Sequence, residues 1–185
     1  MKGIVFNLLE RVVTTEHGAD VWDDLLDAAG ASGAYTSLGN YDDAELEAIA
    51  AAAAKALGLE RADVLRWFGR RAIPVLAELY PDFFTPHASA RPFLNGINDI
   101  IHAEVRKLYA GADCPHFGLQ DGEDGELMMR YRSSRRMCAL AEGFIEGAAD
   151  WYGETIAISQ PVCVAHGDQE CHLVIRWTGA QARAA

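Results

Sequence analysis

Apolar residues recur at helical spacing through the first part of the chain and at alternate positions through much of the last part. Ile4, Val5, Leu8, Leu9 and Val12 predict a first amphipathic helix. A second is predicted over residues 18–29, with Val21, Trp22, Leu25 and Leu26 inward. Residues 30–39, rich in Gly, Ser and Ala, read as a loop. Asp42 or Asp43 can cap a third helix that carries Leu46, Ile49, Ala53 and Leu57 and stops at Gly58. Residues 63–80 predict a fourth, with Val64, Trp67, Phe68, Val75, Leu76 and Leu79 apolar. Pro74 lies inside this pattern, which predicts a kink and a freed carbonyl. In residues 93–109 Leu94, Ile97, Ile101, Val105 and Leu108 share one arc, and Asp99, Ala103, Arg106 and Lys107 lie opposite. His102 stands at the margin of that arc, beside Asn98 and Tyr109.

After Gly111 the period changes. Residues 114–120 and 126–132 read as strands joined by a turn at Gly122 to Gly125. A helix over 136–152, capped by Ser133 or Ser134, carries Met137, Leu140, Ala141, Phe144, Ile145 and Ala148. Residues 155–164 are extended with a break at Pro161, and Gly167-Asp168 signals another turn. Cys171, Leu173, Ile175 and Trp177 alternate with polar or smaller partners on a last strand, and residues 179–185 read as a frayed tail. The expectation is an α+β protein. It forms one domain, 1–185, with a helical lobe (1–110) and a lobe (111–185) of four antiparallel strands and one long helix.

The chain has 185 residues and a net charge of -11. That balance argues against nucleic acid and anionic membrane surfaces as partners, since both need a basic face. No apolar run approaches the roughly 20 residues of a membrane span. Glu10 and Arg11 interrupt the apolar opening, which argues against a signal peptide and for a cytoplasmic protein. There Cys114, Cys138, Cys163 and Cys171 are expected to be reduced or metal-bound.

Three groups can carry chemistry. An imidazole at the edge of an apolar arc, His102, suits a single axial ligand to a haem iron in a dry pocket, or simply a half-buried histidine. Tyr131, Ser133 and Arg135, in the run YRSSR, place a phenol, a hydroxyl and a guanidinium on alternate residues; on extended chain they share one face, suited to carboxylates. Cys163, His166 and Cys171 put three soft ligands around a turn, and Cys138 can approach them. Cys3His is a closed structural zinc set; buried free thiols are the alternative.

The opening MKGIVFN, the His102 helix, Pro115 before the first strand and YRSSR together resemble the haem nitric oxide/oxygen binding (H-NOX) family, bacterial relatives of the soluble guanylate cyclase sensor domain. The resemblance spans nearly the whole chain. It implies haem b held between the two lobes, His102 as the proximal iron ligand, and Tyr131, Ser133 and Arg135 on the propionates. It also implies that Val5 and Pro115 press on the porphyrin from opposite sides. By the same resemblance Val5, Leu9, Pro74, Leu140 and Phe144 line the distal wall. Family members that hold O2 place a tyrosine where this chain has Leu140. Bound O2 gains about 1.5–3 kcal/mol from a charge-assisted donor, whereas NO and CO gain less. None of those five side chains donates, so the expectation is a sensor of NO that also binds CO and discriminates against O2.

The resemblance implies signalling by a non-enzyme: the bond to His102 lengthens or breaks, its helix is released and the lobes shift. The readout then belongs to a partner, in the family a histidine kinase or a cyclic-di-GMP enzyme. Some relatives hold zinc with three matching cysteines and a histidine where this chain has Gln160, so His166 or His172 would have to substitute. The competing reading is a zinc-containing small-molecule or interaction domain of the vinyl-reductase-like type, without haem.

Overall fold

The computed structural model describes residues 1–180. Helix α1 (Gly3–His17) buries Phe6, Leu8, Leu9, Val12 and Val13. Helix α2 (Ala19–Ala29) ends at Gly30, whose positive φ of 65° suits glycine. Trp22 is its one buried side chain, while Val21, expected inward, faces solvent. Asp42 caps α3 (Asp43–Leu57) as expected, its carboxylate accepting from the Ala44 N–H at 3.0 Å. Leu57 is exposed rather than packed, because the helix ends there at Gly58. Helix α4 (Arg61–Leu79) continues through Pro74. Leu79, at its end, is also exposed.

The expected single helix over 93–109 is three pieces. Helix α5 (Ala90–Asn95) passes into a π-helical turn, Ile97–Ile101, and α6 (His102–Leu108) begins at the histidine itself. A π turn fits one surplus residue into the winding. The periodicity of apolar positions does not reveal it.

Strands β1 (His116–Asp121), β2 (Leu127–Arg132), β3 (Glu154–Val162) and β4 (Cys171–Ala180) form one antiparallel sheet in the order β1-β2-β4-β3. The hairpin between β1 and β2 turns at Glu123–Gly125, with Asp124 left-handed at φ 56°. A register irregularity lies between Ser159 and Val162 of β3, where Pro161 cannot donate to the ladder. Gly179 and Ala180, assigned to a frayed tail from sequence, belong to β4 and pair with β3; the rest of that tail lies outside the described residues.

Helix α7 (Cys138–Trp151) joins the two parts. Neither Ser133 nor Ser134 caps it: Met137 precedes it without a side-chain cap, and the Ser133 hydroxyl instead accepts from the Arg135 N–H at 3.2 Å. The helix starts late because Arg136 is left-handed at φ 55°. Its axis lies close against α4. A Cβ on Gly143 would fall 2.0 Å from the Arg66 carbonyl oxygen, and one on Gly147 2.5 Å from that of Arg70. Arg70 owns the carbonyl that Pro74 deprives of its helical partner. Arg66 and Arg70 then bridge outward to Glu146, Glu142 and Asp150.

One apolar cluster fills the space between the sheet, α5 and α7, and includes Leu94, Phe117, Met129, Ile145 and Leu173. A second, with Phe6, Leu46, Leu65 and Phe68, fills the space between α1, α3 and α4. Phe144 packs against both. Among the described residues no helix is long and apolar enough to cross a membrane.

Candidate functional site: an apolar cavity around His102

A cavity of about 390 Å³ opens between the two apolar clusters. That volume lies within the range of small-molecule and cofactor sites. Ile4, Val5 and Leu8 enter it from α1, Ile73 and Leu76 from α4, and Leu140, Phe144 and Ile145 from α7. Facing them are Leu94, Ile97, Ile101, His102 and Val105, and then the segment from Gly111 to Pro115. The lining is mostly apolar; Lys2, Asp113, Ser133 and Arg135 make one end polar, and Tyr80 and Tyr109 add hydroxyls.

His102 is placed by its own helix and by β1. Asn98, in the π turn, donates to the Phe117 carbonyl at 2.5 Å and accepts from the Phe117 N–H at 3.2 Å. This two-way bond fixes the π turn to the start of β1. The Phe117 ring then stacks on the imidazole, centroids 5.7 Å apart and planes 27° from parallel. Burial foremost, then the charges of Arg106 and His116, lower the His102 pKa to about 4, against an opposing effect of the Pro115 backbone. The ring is therefore neutral at physiological pH, the state in which an imidazole nitrogen can bind a metal. Its Nδ1 is buried without a hydrogen-bond partner. An orphaned buried nitrogen is costly unless a ligand satisfies the ring.

Tyr131 ends β2, but the chain leaves the sheet after Arg132, so Ser133 and Arg135 lie in a turn and not on extended chain as expected. All three still reach the one cavity, because the turn folds back over its polar end. Burial raises the Tyr131 phenol, against the opposing effects of the Ser133 hydroxyl and the Met137 backbone. The Arg135 guanidinium bonds the Asp43 carboxylate at 3.0 Å and the Asp113 carboxylate at 3.3 Å. The ammonium of Met1 shares the same Asp43 oxygen. Burial raises the Asp43 carboxyl, but bonds from the ammonium and from Arg135 outweigh it, and the net shift is down.

Two of the expected lining residues lie elsewhere. Leu9 is buried in the α1–α3–α4 cluster, one helical step away from Leu8, which does face the cavity. Pro74 is on the exposed side of α4, and its neighbour Ile73 takes the wall position. Val5, Leu140, Phe144 and Pro115 line the cavity. Sequence reasoning misses Lys2, Tyr80 and Tyr109, which also line it. The Tyr80 and Tyr109 hydroxyls lie 3.4 Å apart.

The sulfurs of Cys138, Cys163 and Cys171 lie within 4.8 Å of one another, all buried. His166 does not join them: it ends the turn Val164–His166 and is exposed. His172 instead bonds Glu170 at 2.7 Å. Gln160, where some relatives have a histidine, has a buried amide nitrogen without a partner. Among the described residues no fourth cysteine, histidine or carboxylate completes the set. A closed four-ligand zinc site is therefore not formed among them. Burial, with the neighbouring thiols, raises the Cys171 thiol to about 12, although the Val164 N–H pulls it back, so it is protonated at neutral pH.

The haem-NO-binding family model matches residues 2–160. Among solved structures, the H-NOX protein of Shewanella oneidensis in its Fe(II)NO ligation state is similar at 35% identity and TM-score 0.90, over 97% of this chain and 100% of that one. A triple mutant of the S. oneidensis protein, in the Fe(II) ligation state, is similar at 34% identity and TM-score 0.91, covering 98% of each chain. The Fe(II) unliganded H-NOX protein of K. algicida, at 23% identity and TM-score 0.84 over 98% of this chain and 99% of that one, shares the fold. On the strength of that match, running from Lys2 to Gln160 and so across the cavity and the His102 helix alike, the chain belongs to the haem-NO-binding (H-NOX) family.

Proposed function

We propose that this chain is a single sensor domain that binds haem b through His102, responds to nitric oxide, and is not itself a catalyst. The observation that carries the reading is His102: a neutral imidazole with a buried, unpartnered nitrogen, lining a mostly apolar cavity with one polar end. Tyr131, Ser133 and Arg135 supply that end with donors suited to carboxylates. The bound group supplies an open iron position for a diatomic gas. From α1, α4 and α7 the cavity is lined by Val5, Leu8, Ile73, Leu140 and Phe144, none of which donates a hydrogen bond, while the Tyr80 and Tyr109 hydroxyls of the lining face each other at 3.4 Å. Such a wall favours NO and CO over the more polar bound O2. His102 is the first residue of α6, so slackening its hold acts directly on the helix end that Asn98 ties to β1. A two-state element of this kind can pass the signal to a partner protein, for which we propose a histidine kinase or a cyclic-di-GMP enzyme. The competing zinc domain without haem has neither a fourth ligand among the described residues nor a use for the cavity.

The test is an absorption spectrum of protein expressed with hemin. A strong Soret band that moves on adding NO is expected, with His102→Gly losing haem or regaining it only when free imidazole is supplied. A colourless protein, or a His102→Gly spectrum identical to wild type, would overturn the reading.

A further inference from the structure

Lys2 is the only buried charged side chain among the described residues, at 9% exposure. It precedes α1 and pairs with Asn40 in an isolated bridge, which carries its side chain inward. Its Nζ donates to the Ala110 carbonyl at 2.7 Å and to the Leu38 carbonyl at 3.4 Å, and stands 5.9 Å from the centre of the Tyr109 ring. These contacts solvate the ammonium in part. None is an anion. Among the described residues no carboxylate comes within salt-bridge distance of Lys2, in a chain that carries 27 acidic residues. The other two cations of the cavity lining are matched: the Met1 ammonium and Arg135 share Asp43, and Arg135 also meets Asp113.

A buried ammonium without a counter-ion is expensive, and a protein keeps one where a ligand brings the charge. Lys2 lines the same cavity as Arg135 and Ser133. We propose that Lys2 is an anion-binding residue of this cavity and takes one carboxylate of the haem, so that the two carboxylates are not both held by the YRSSR cluster. This rests on the haem reading above. Through the Ala110 carbonyl, two residues past the end of α6, the same ammonium also touches the chain leaving the His102 helix.

The experiment compares wild type, Lys2→Met and Lys2→Arg, each loaded with hemin or with hemin dimethyl ester, whose carboxylates are uncharged. Hemin loss to excess apomyoglobin is timed, and the haem midpoint potential is measured. Lys2→Met is expected to lose hemin roughly tenfold faster or more, because one partner of a buried charge pair is gone. Its potential should fall, since removing a positive charge favours the ferric state. Lys2→Arg should largely restore both. The dimethyl ester should leave wild type and Lys2→Met at similar rates. Equal hemin-loss rates in wild type and Lys2→Met, or the same acceleration with the diester, would overturn the assignment and leave Lys2 a structural tie. If Lys2→Met does not fold, the Nζ resonance of labelled lysine in the wild type, loaded with zinc protoporphyrin or its dimethyl ester, reads the same contact. A resonance unmoved between the two counts against the proposal. A wild-type protein that takes up no hemin at all defeats the haem reading itself, whereas normal uptake with indifferent Lys2 variants defeats only this inference.

Discussion

Arg135 and Asp43 meet at 3.0 Å across 92 residues of sequence, joining the turn after β2 to the first residue of α3. The chain's own N-terminus bonds the same carboxylate oxygen. One acid thus links three segments that the sequence sets far apart, all beside the polar end of the cavity.

Asp43→Asn should loosen this junction. Charged hydrogen bonds contribute about 1.5–3 kcal/mol each, and Asp43 is partly exposed, so a loss of about 1–2 kcal/mol is expected by urea denaturation. The pH dependence follows from the lowered carboxyl. A depressed folded pKa contributes stability that is complete above the unfolded value, about 3.9, and is lost as pH falls through the folded one. The difference between wild type and Asp43→Asn should therefore shrink as the pH is taken below about 4. A constant difference down to the acid limit would speak against it.

Gly143→Ala should separate α7 from α4. The added methyl would stand 2.0 Å from a backbone oxygen, which has no side-chain freedom to retreat. Overpacking of this kind costs about 1–3 kcal/mol, beyond the helix propensity that alanine returns. A thermal midpoint no lower than that of wild type would show that the helices part without cost.

Leu140→Tyr should change gas selectivity, since it brings a phenol to the α7 wall of the cavity. A donor to bound O2 contributes about 1.5–3 kcal/mol, which corresponds to roughly ten- to hundredfold slower O2 loss. Flash photolysis in air-equilibrated buffer measures it; an unchanged O2 off-rate would place the wall's control elsewhere.

Thiol titration should divide the cysteines. Cys114 is half-buried and Cys138, Cys163 and Cys171 are buried. One thiol should react with Ellman's reagent in the native protein, slowly, because burial raises the Cys114 thiol. The other three should react only on unfolding, and purified protein should carry less than one zinc per chain. Stoichiometric zinc would mean that the three thiols take a fourth ligand by rearrangement, such as His166, or from solvent.

Much of the fold is legible from local signals. The caps at Asp42 and Gly58, the β1–β2 hairpin and the alternation of Cys171, Leu173 and Ile175 are of this kind, and the fold follows them. His102 stands out because a lone imidazole on an apolar arc has few uses. Leu9 and Pro74 are misplaced from sequence because a helical wheel assigns a face but not which neighbour of a buried residue borders a cavity. The late start of α7 depends on one left-handed residue, Arg136, which no propensity marks. Lys2 is illegible for a different reason: a lysine beside the N-terminus looks solvated until the far end of α6 is folded over it.

The surplus residue wound into Ile97–Ile101 has a mechanical implication. A helix holding one extra residue in a turn keeps a second winding within reach. If that residue were released, every position after it would swing by about 100° and advance by about 1.5 Å. The first position after it is His102, and the Asn98 bonds to β1 are what restrain the swing. The imidazole is thus mounted on a segment that can pivot like a cam, with a single amide as its brake.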